Sequence, residues 1–248
     1  MKLFIYILFF INLSASSLNL NYIGELSLFG KVVDASINYF NDGKHYHITV
    51  SGRGSGIIAR LTNNRNFTYE SIGDVNGTDL IPKHYITTER SAQKIKIKDY
   101  SFDYENSCIN IAIHQEEELY KTKVNIINLS IERESYIEKK NKIKKLDEIY
   151  YDDMVSIFFN KRNRLLDMKI GGSKLIYAAG SKDTQKGILV ELKDIQKEKY
   201  IYSMKIKKKY LENGYKEAEF ILDAQNFLSE TSIEGILFLG DAVIKRVE

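Results

Sequence analysis

The chain has 248 residues, room for one large domain or two small ones, and its 44% hydrophobic content with 17 Tyr and 12 Phe can build a core. Its 36 basic and 33 acidic residues nearly cancel, which argues against a nucleic-acid partner, since that calls for a strongly basic face. Cys108 stands alone, so an internal disulfide is excluded.

Lys2 is followed by an unbroken apolar run from Leu3 to Ile11, and then by the small residues Ser14, Ala15 and Ser16. A basic start, a short apolar middle and a small-residue exit make residues 1–16 read as a secretory signal peptide, cut after Ser16. The apolar stretch is shorter than the roughly 20 residues that span a bilayer. Residues 17–248 are then expected to form a single β-rich domain in the periplasm, with no stable transmembrane segment after cleavage.

From there on, short runs of alternating apolar and polar residues are separated by turn residues. Tyr22 to Phe29 and Lys31 to Phe40 read as strands joined at Gly30, and Asn41-Asp42-Gly43 as a hairpin turn into Lys44 to Ser51. Gly52 to Gly56 should break the ladder, leaving Ile57 to Leu61 as a short helix or an irregular segment. Strands follow at Asn66 to Val75, Ile86 to Glu89, Lys94 to Tyr104, Cys108 to His114 and Tyr120 to Ile131, with Pro82 at a strand start or edge. Lys94 to Lys98 alternates strictly, isoleucines on one face and lysines on the other.

Ser135 to Leu146 is lysine-rich and reads as a hairpin or loop. Asp152 reads as the N-cap of a helix whose apolar face is Met154, Val155, Phe158 and Phe159. Strands resume at Lys174 to Ala179, Gly187 to Lys193, Tyr200 to Lys207 and, past an Asn213-Gly214 turn, Lys216 to Asp223. The last strand is expected over Ile236 to Val247, its continuous apolar start marking a strand covered on both faces. A dozen short strands with one or two short helices predict a mainly β fold, a curved antiparallel sheet or half-closed β-barrel.

Candidate sites are few. Gly52-Arg53-Gly54-Ser55-Gly56 lacks the third glycine of a dinucleotide loop and the Gly-Lys-Ser/Thr of a P-loop, so close backbone packing at a turn explains it better. His45 and His47 share one side of a strand, but no nearby Cys or carboxylate pattern completes a metal site. Asp152 and Asp153 are adjacent, and neighbours on a helix do not face each other. Cys108 in its apolar strand reads as core. The basic clusters Lys139 to Lys145 and Lys205 to Lys209 read as solvated faces. Asp74-Val75-Asn76-Gly77-Thr78 holds an Asn-x-Thr acceptor with an acidic residue two before it, which makes Asn76 a candidate for bacterial N-glycosylation.

Tyr22-x-Gly24, Gly30, Tyr46, Tyr69-x-Ser71, Pro82, the stretch Tyr151 to Ser156 and the ending Gly235 to Ala242 together resemble an exported envelope-protein family of Gram-negative bacteria. It is a periplasmic domain-of-unknown-function family (DUF3108-like), and the resemblance is to its epsilonproteobacterial type. That resemblance implies a periplasmic β-rich fold and supplies no catalytic residues. With no catalytic constellation in the sequence, the expected function is a non-enzymatic binding or carrier domain, with no cofactor and no metal. An apolar ligand such as a lipid or acyl chain would lie near Met154, Phe158, Phe159 and Phe238. The alternative is an envelope interaction or scaffold protein that engages another protein or the cell wall through a sheet edge or basic rim.

Overall fold

The computed structural model describes residues 16–125, 130–180, 187–207, 215–236 and 240–247. Residues 1–15 of the expected leader, the Asn213-Gly214 turn and Phe238 lie outside them. Alternation of apolar and polar residues produces β1 (Ser16–Leu26), β2 (Gly30–Asn41), β3 (His45–Gly54), β4 (Asn66–Asn76), β5 (Asp79–Arg90) and β6 (Lys94–Asp103). Long β7 (Cys108–Asn125) and β8 (Ser130–Leu146) follow. After an irregular segment come β9 (Ser173–Ile176), β10 (Ile188–Gln196), β11 (Lys199–Lys207), β12 (Tyr215–Leu222), β13 (Leu228–Ile236) and β14 (Gly240–Val247).

All pair antiparallel in one large sheet whose order runs β8 to β1, then β14 to β9. The sheet is not closed: β8 and β9 are its two edges, and residues 147–172 carry the chain from one edge to the other. Beyond β9, an isolated parallel bridge joins Asp153 to Ala179. The mainly β, half-closed architecture expected from the sequence is therefore present.

Several elements differ from the sequence reading. The glycine run does not stop β3, which continues to Gly54 and leads directly into a short helix, α1 (Gly56–Leu61). Gly52 accommodates the Phe67 ring opposite it: a Cβ there would meet that ring at 2.4 Å. Pro82 lies inside β5 rather than at its start, but residues 79–82 pair only with β4, so its missing N–H breaks no ladder with β6. The strands expected at Cys108 to His114 and from Tyr120 run on as one, β7, which ends at Asn125; Ile131 and the expected lysine-rich loop belong to strand β8. Ile236 to Val247 is not one strand: Ile236 ends β13, and β14 returns antiparallel from Gly240.

The expected helix after Asp152 is instead a chain of single 3-10 turns at Ser156–Phe158, Lys161–Asn163 and Leu165–Asp167. Its apolar residues serve two clusters rather than one face. Val155 enters a core with Tyr46, Ile48 and Tyr85, whereas Ile157 and Leu165 enter a second with Leu192, Tyr202 and Phe220. Met154 packs against both. Residues 150–165 thus act as a plug that fills the core face of the sheet. Among the described residues, no helix is long and apolar enough to cross a membrane.

Candidate functional site

Two places on the core face concentrate polar chemistry. The first is where the plug meets the sheet. Asp153 is fully buried, and its Oδ1 accepts from the Val155 and Ser156 N–H groups at 2.7 and 2.8 Å. The Ser156 hydroxyl oxygen accepts in turn from the Asp153 N–H at 2.9 Å, a reciprocal cap that makes Asp153, not Asp152, the residue opening this turn. Asp153 Oδ2 accepts from the Ser71 hydroxyl of β4 at 2.5 Å. Ser71 has a single proton to give, so Tyr46 donates to Ser71 across their 2.9 Å contact.

Asp152, 4% exposed, accepts from Asn160 Nδ2 at 2.7 Å and Asn163 Nδ2 at 3.2 Å. Asn160 also pairs with the backbone of Leu80 in both directions, standing in for a strand neighbour where β5 lacks β6. The Arg162 guanidinium donates to the same Leu80 carbonyl and lies 5.2 Å from the Tyr151 ring centre. Burial pushes both carboxyls up to about 6 from an ordinary 3.8, against the lowering effect of their hydrogen bonds. The adjacent carboxylates therefore do both point inward, because Asp152 precedes the first turn instead of lying on a helix. Their acceptor capacity goes to holding the plug.

The second place lies past the plug. Antiparallel register sets Val50, Tyr69, Thr87, Lys98, Ile113 and Lys142 in one row on the core face. Gly52, Phe67, Glu89 and Lys96 belong to the next row. The lysines of β6 thus share a face with buried Tyr100 and Phe102, and it is the isoleucines Ile95 and Ile97 that face away. Phe67 stacks on Tyr69 at 5.1 Å, and Val50, Tyr69 and Ile113 are only partly buried against the core. Among the described residues, Lys94 pairs with Glu117, while no carboxylate pairs with Lys96, Lys98, Lys142 or Lys144. A half-covered apolar row therefore runs into lysines that hold no ion pair among the described residues, with Glu89, paired to Arg65, opposite Lys96 in the neighbouring row.

The residues singled out from sequence fall elsewhere. Phe159 stacks on Tyr39 at 5.6 Å, and Phe158 meets Phe220 edge-on at 5.8 Å, so with Met154 they form packing inside the sheet. A cleft of about 370 Å³ lies around Ser36, Ser51 and Arg53, and another of about 330 Å³ between Tyr151, Arg162 and Tyr177; those three residues line neither. His45 and His47 are exposed, and each faces its own carboxylate, Asp74 and Glu70, at 3.1 Å. No three His, Cys, Asp or Glu side chains converge among the described residues. Asn76 is exposed at the β4–β5 turn, and Cys108 is buried.

A family model described as "Protein of unknown function (DUF3108)" matches residues 30–186. The chain belongs to the DUF3108 family. Both the Asp152–Asp153 anchor and the lysine-bearing rows fall within the matched span, so this DUF3108 chain carries them in its family domain. No curated protein matches it. A solved structure, the β-barrel-like protein of domain of unknown function DUF1849 from Brucella abortus, is similar at 8% identity over 93% of this chain and 95% of that one, with a TM-score of 0.32.

Proposed function

We propose that this DUF3108 chain is an exported, periplasmic, non-enzymatic binding domain whose ligand is an amphiphile with an anionic head. The observation that carries the reading is the row in which partly buried Val50, Tyr69 and Ile113 lie beside Thr87, Lys98 and Lys142. An acyl chain on the apolar members gains about 0.8 kcal/mol per buried CH₂, and a phosphate reaching Lys98 and Lys142 gives these lysines an ion-pair partner. The plug fills the interior beside Met154, Phe158 and Phe159, which favours a ligand laid along the sheet over one swallowed by a cavity. Asp153 is shut away from solvent, and Asp152, at the edge of the cleft beside Tyr151 and Arg162, is held by Asn160 and Asn163, in keeping with a binding role over a catalytic one.

Calorimetric titration with a soluble short-chain phosphatidylglycerol should show saturable binding, with phosphatidylcholine of the same chain length markedly weaker. Lys96→Glu together with Lys98→Glu should weaken the first by about tenfold or more, the equivalent of about 1.4 kcal/mol. Equal affinity for the two lipids, or an unaffected double variant, would sink the reading. Export is checked separately: N-terminal sequencing of the periplasmic fraction should begin at Ser17, and a cytosolic chain retaining residues 1–16 would refute it.

A further inference from the structure

The β7–β8 hairpin outgrows its sheet. Lys94 of β6 pairs with Glu117, and from Leu119 to Asn125 β7 has β8 as its one strand partner. A two-stranded ribbon is marginal in water unless a third strand or a packed face supports it. This one also leaves Tyr120 at 53% and Ile137 at 63% exposed, with Ile143 further along β8 at 85%. β8 is an edge strand, with backbone donors and acceptors along its outer side left for another strand.

We propose that a second copy of this chain supplies that strand, the two β8 edges pairing antiparallel about a two-fold axis. This is independent of the lipid reading and rests on different residues. An axis perpendicular to the sheet keeps each face on its own side, so residues facing each other across the joint share parity. Charge then selects the register. Centring the axis on Ile137 sets Ile137 against Ile137, Glu134 against Lys140, Tyr136 against Glu138 and Ser135 against Lys139. In the whole stretch from Arg133 to Asn141 this arrangement opposes no two like charges. Moving the axis to Glu138 opposes Glu138 to itself, and moving it to Tyr136 opposes Glu134 to Glu138. The acidic residues toward the start of β8 and the lysines toward its end therefore make the edge complementary to its own copy, while lysines discourage other strands. Each projecting ribbon gains its third strand from the body of the other sheet.

Sedimentation equilibrium of the exported chain should show a dimer. Lys140→Glu and Glu134→Lys should each be monomeric, with circular dichroism unchanged from the parent to establish that both remain folded. Mixed in equal amounts, the two variants should recover a heterodimer, because both Glu134–Lys140 contacts are then restored with reversed sign. A parent that stays monomeric up to its solubility limit overturns the proposal. So do single variants that remain dimeric, or a mixture that fails to associate.

Discussion

Replacing Asp153 with alanine should cost about 3 kcal/mol or more, read as a lowered urea midpoint at pH 7 with an unchanged slope. The substitution leaves the Ser71 hydroxyl and the Val155 and Ser156 N–H groups buried without their acceptor. Each such orphan costs roughly 1–3 kcal/mol, against which the relief from burying one carboxylate is a partial offset. Asp153→Asn keeps an oxygen for the two N–H groups and turns an amide toward Ser71, so it should cost only about 1 kcal/mol. An alanine variant within roughly 0.5 kcal/mol of the parent would mean that the plug is held by apolar contact alone.

Stability should also rise as pH falls from 7 to about 5, the reverse of ordinary acid sensitivity. Burial raises Asp152 and Asp153 to about 6, above the 3.8 of an unfolded chain. Between these values the folded state binds protons that the unfolded state does not, so stability decreases as pH increases through the window. Above pH 6 the loss is complete, on the order of 3 kcal/mol per carboxyl and less than twice that for the interacting pair. Below 3.8 both states are protonated and the difference stops growing. Half-buried Asp42, Asp74 and Asp103 have the opposite shift, lowered by hydrogen bonds, and their contribution fades at the acid end. A melting-temperature profile should therefore peak between about pH 4 and 6. The Asp152→Asn, Asp153→Asn double variant should flatten its neutral limb; a parent that melts lower at pH 5 than at pH 7 would contradict the assignment. Protonated Asp153 would donate to Ser71, reversing the direction of the Tyr46–Ser71 bond without breaking it.

Most turns were legible because their chemistry is local: Asp42-Gly43 and Asn76-Gly77 occur where their residues demand, with Gly43 and Gly77 at positive φ. β8 was not legible, because a ribbon wet on both faces needs no apolar period, and its lysines and glutamates look like a loop. β13 was missed for a related reason: Ser229-Glu230-Thr231-Ser232 is polar on both sides of the strand. The helical spacing of Val155 and Phe158 was real but had another cause, since a segment wedged between two clusters also alternates its contacts. Alternation in Lys94 to Lys98 gave the period of β6 and could not say which side faced inward; continuity with Tyr100 and Phe102 would have done so. The anchor left one readable trace, the Asp153-x-x-Ser156 spacing of a reciprocal cap.

The place of β1 in the sheet has a kinetic consequence. It lies between β2 and β14, and the Tyr22 hydroxyl reaches the Leu228 carbonyl at 2.7 Å across 206 positions of chain. Early hairpins can zip up unaided, yet the strand that opens the described chain stays half-matched until the closing one arrives. Such remote closure makes assembly slow and leaves a sticky, incomplete intermediate in the meantime. A polypeptide released start-first would keep β1 half-paired until β14 followed, so burial of this seam is a late event in folding.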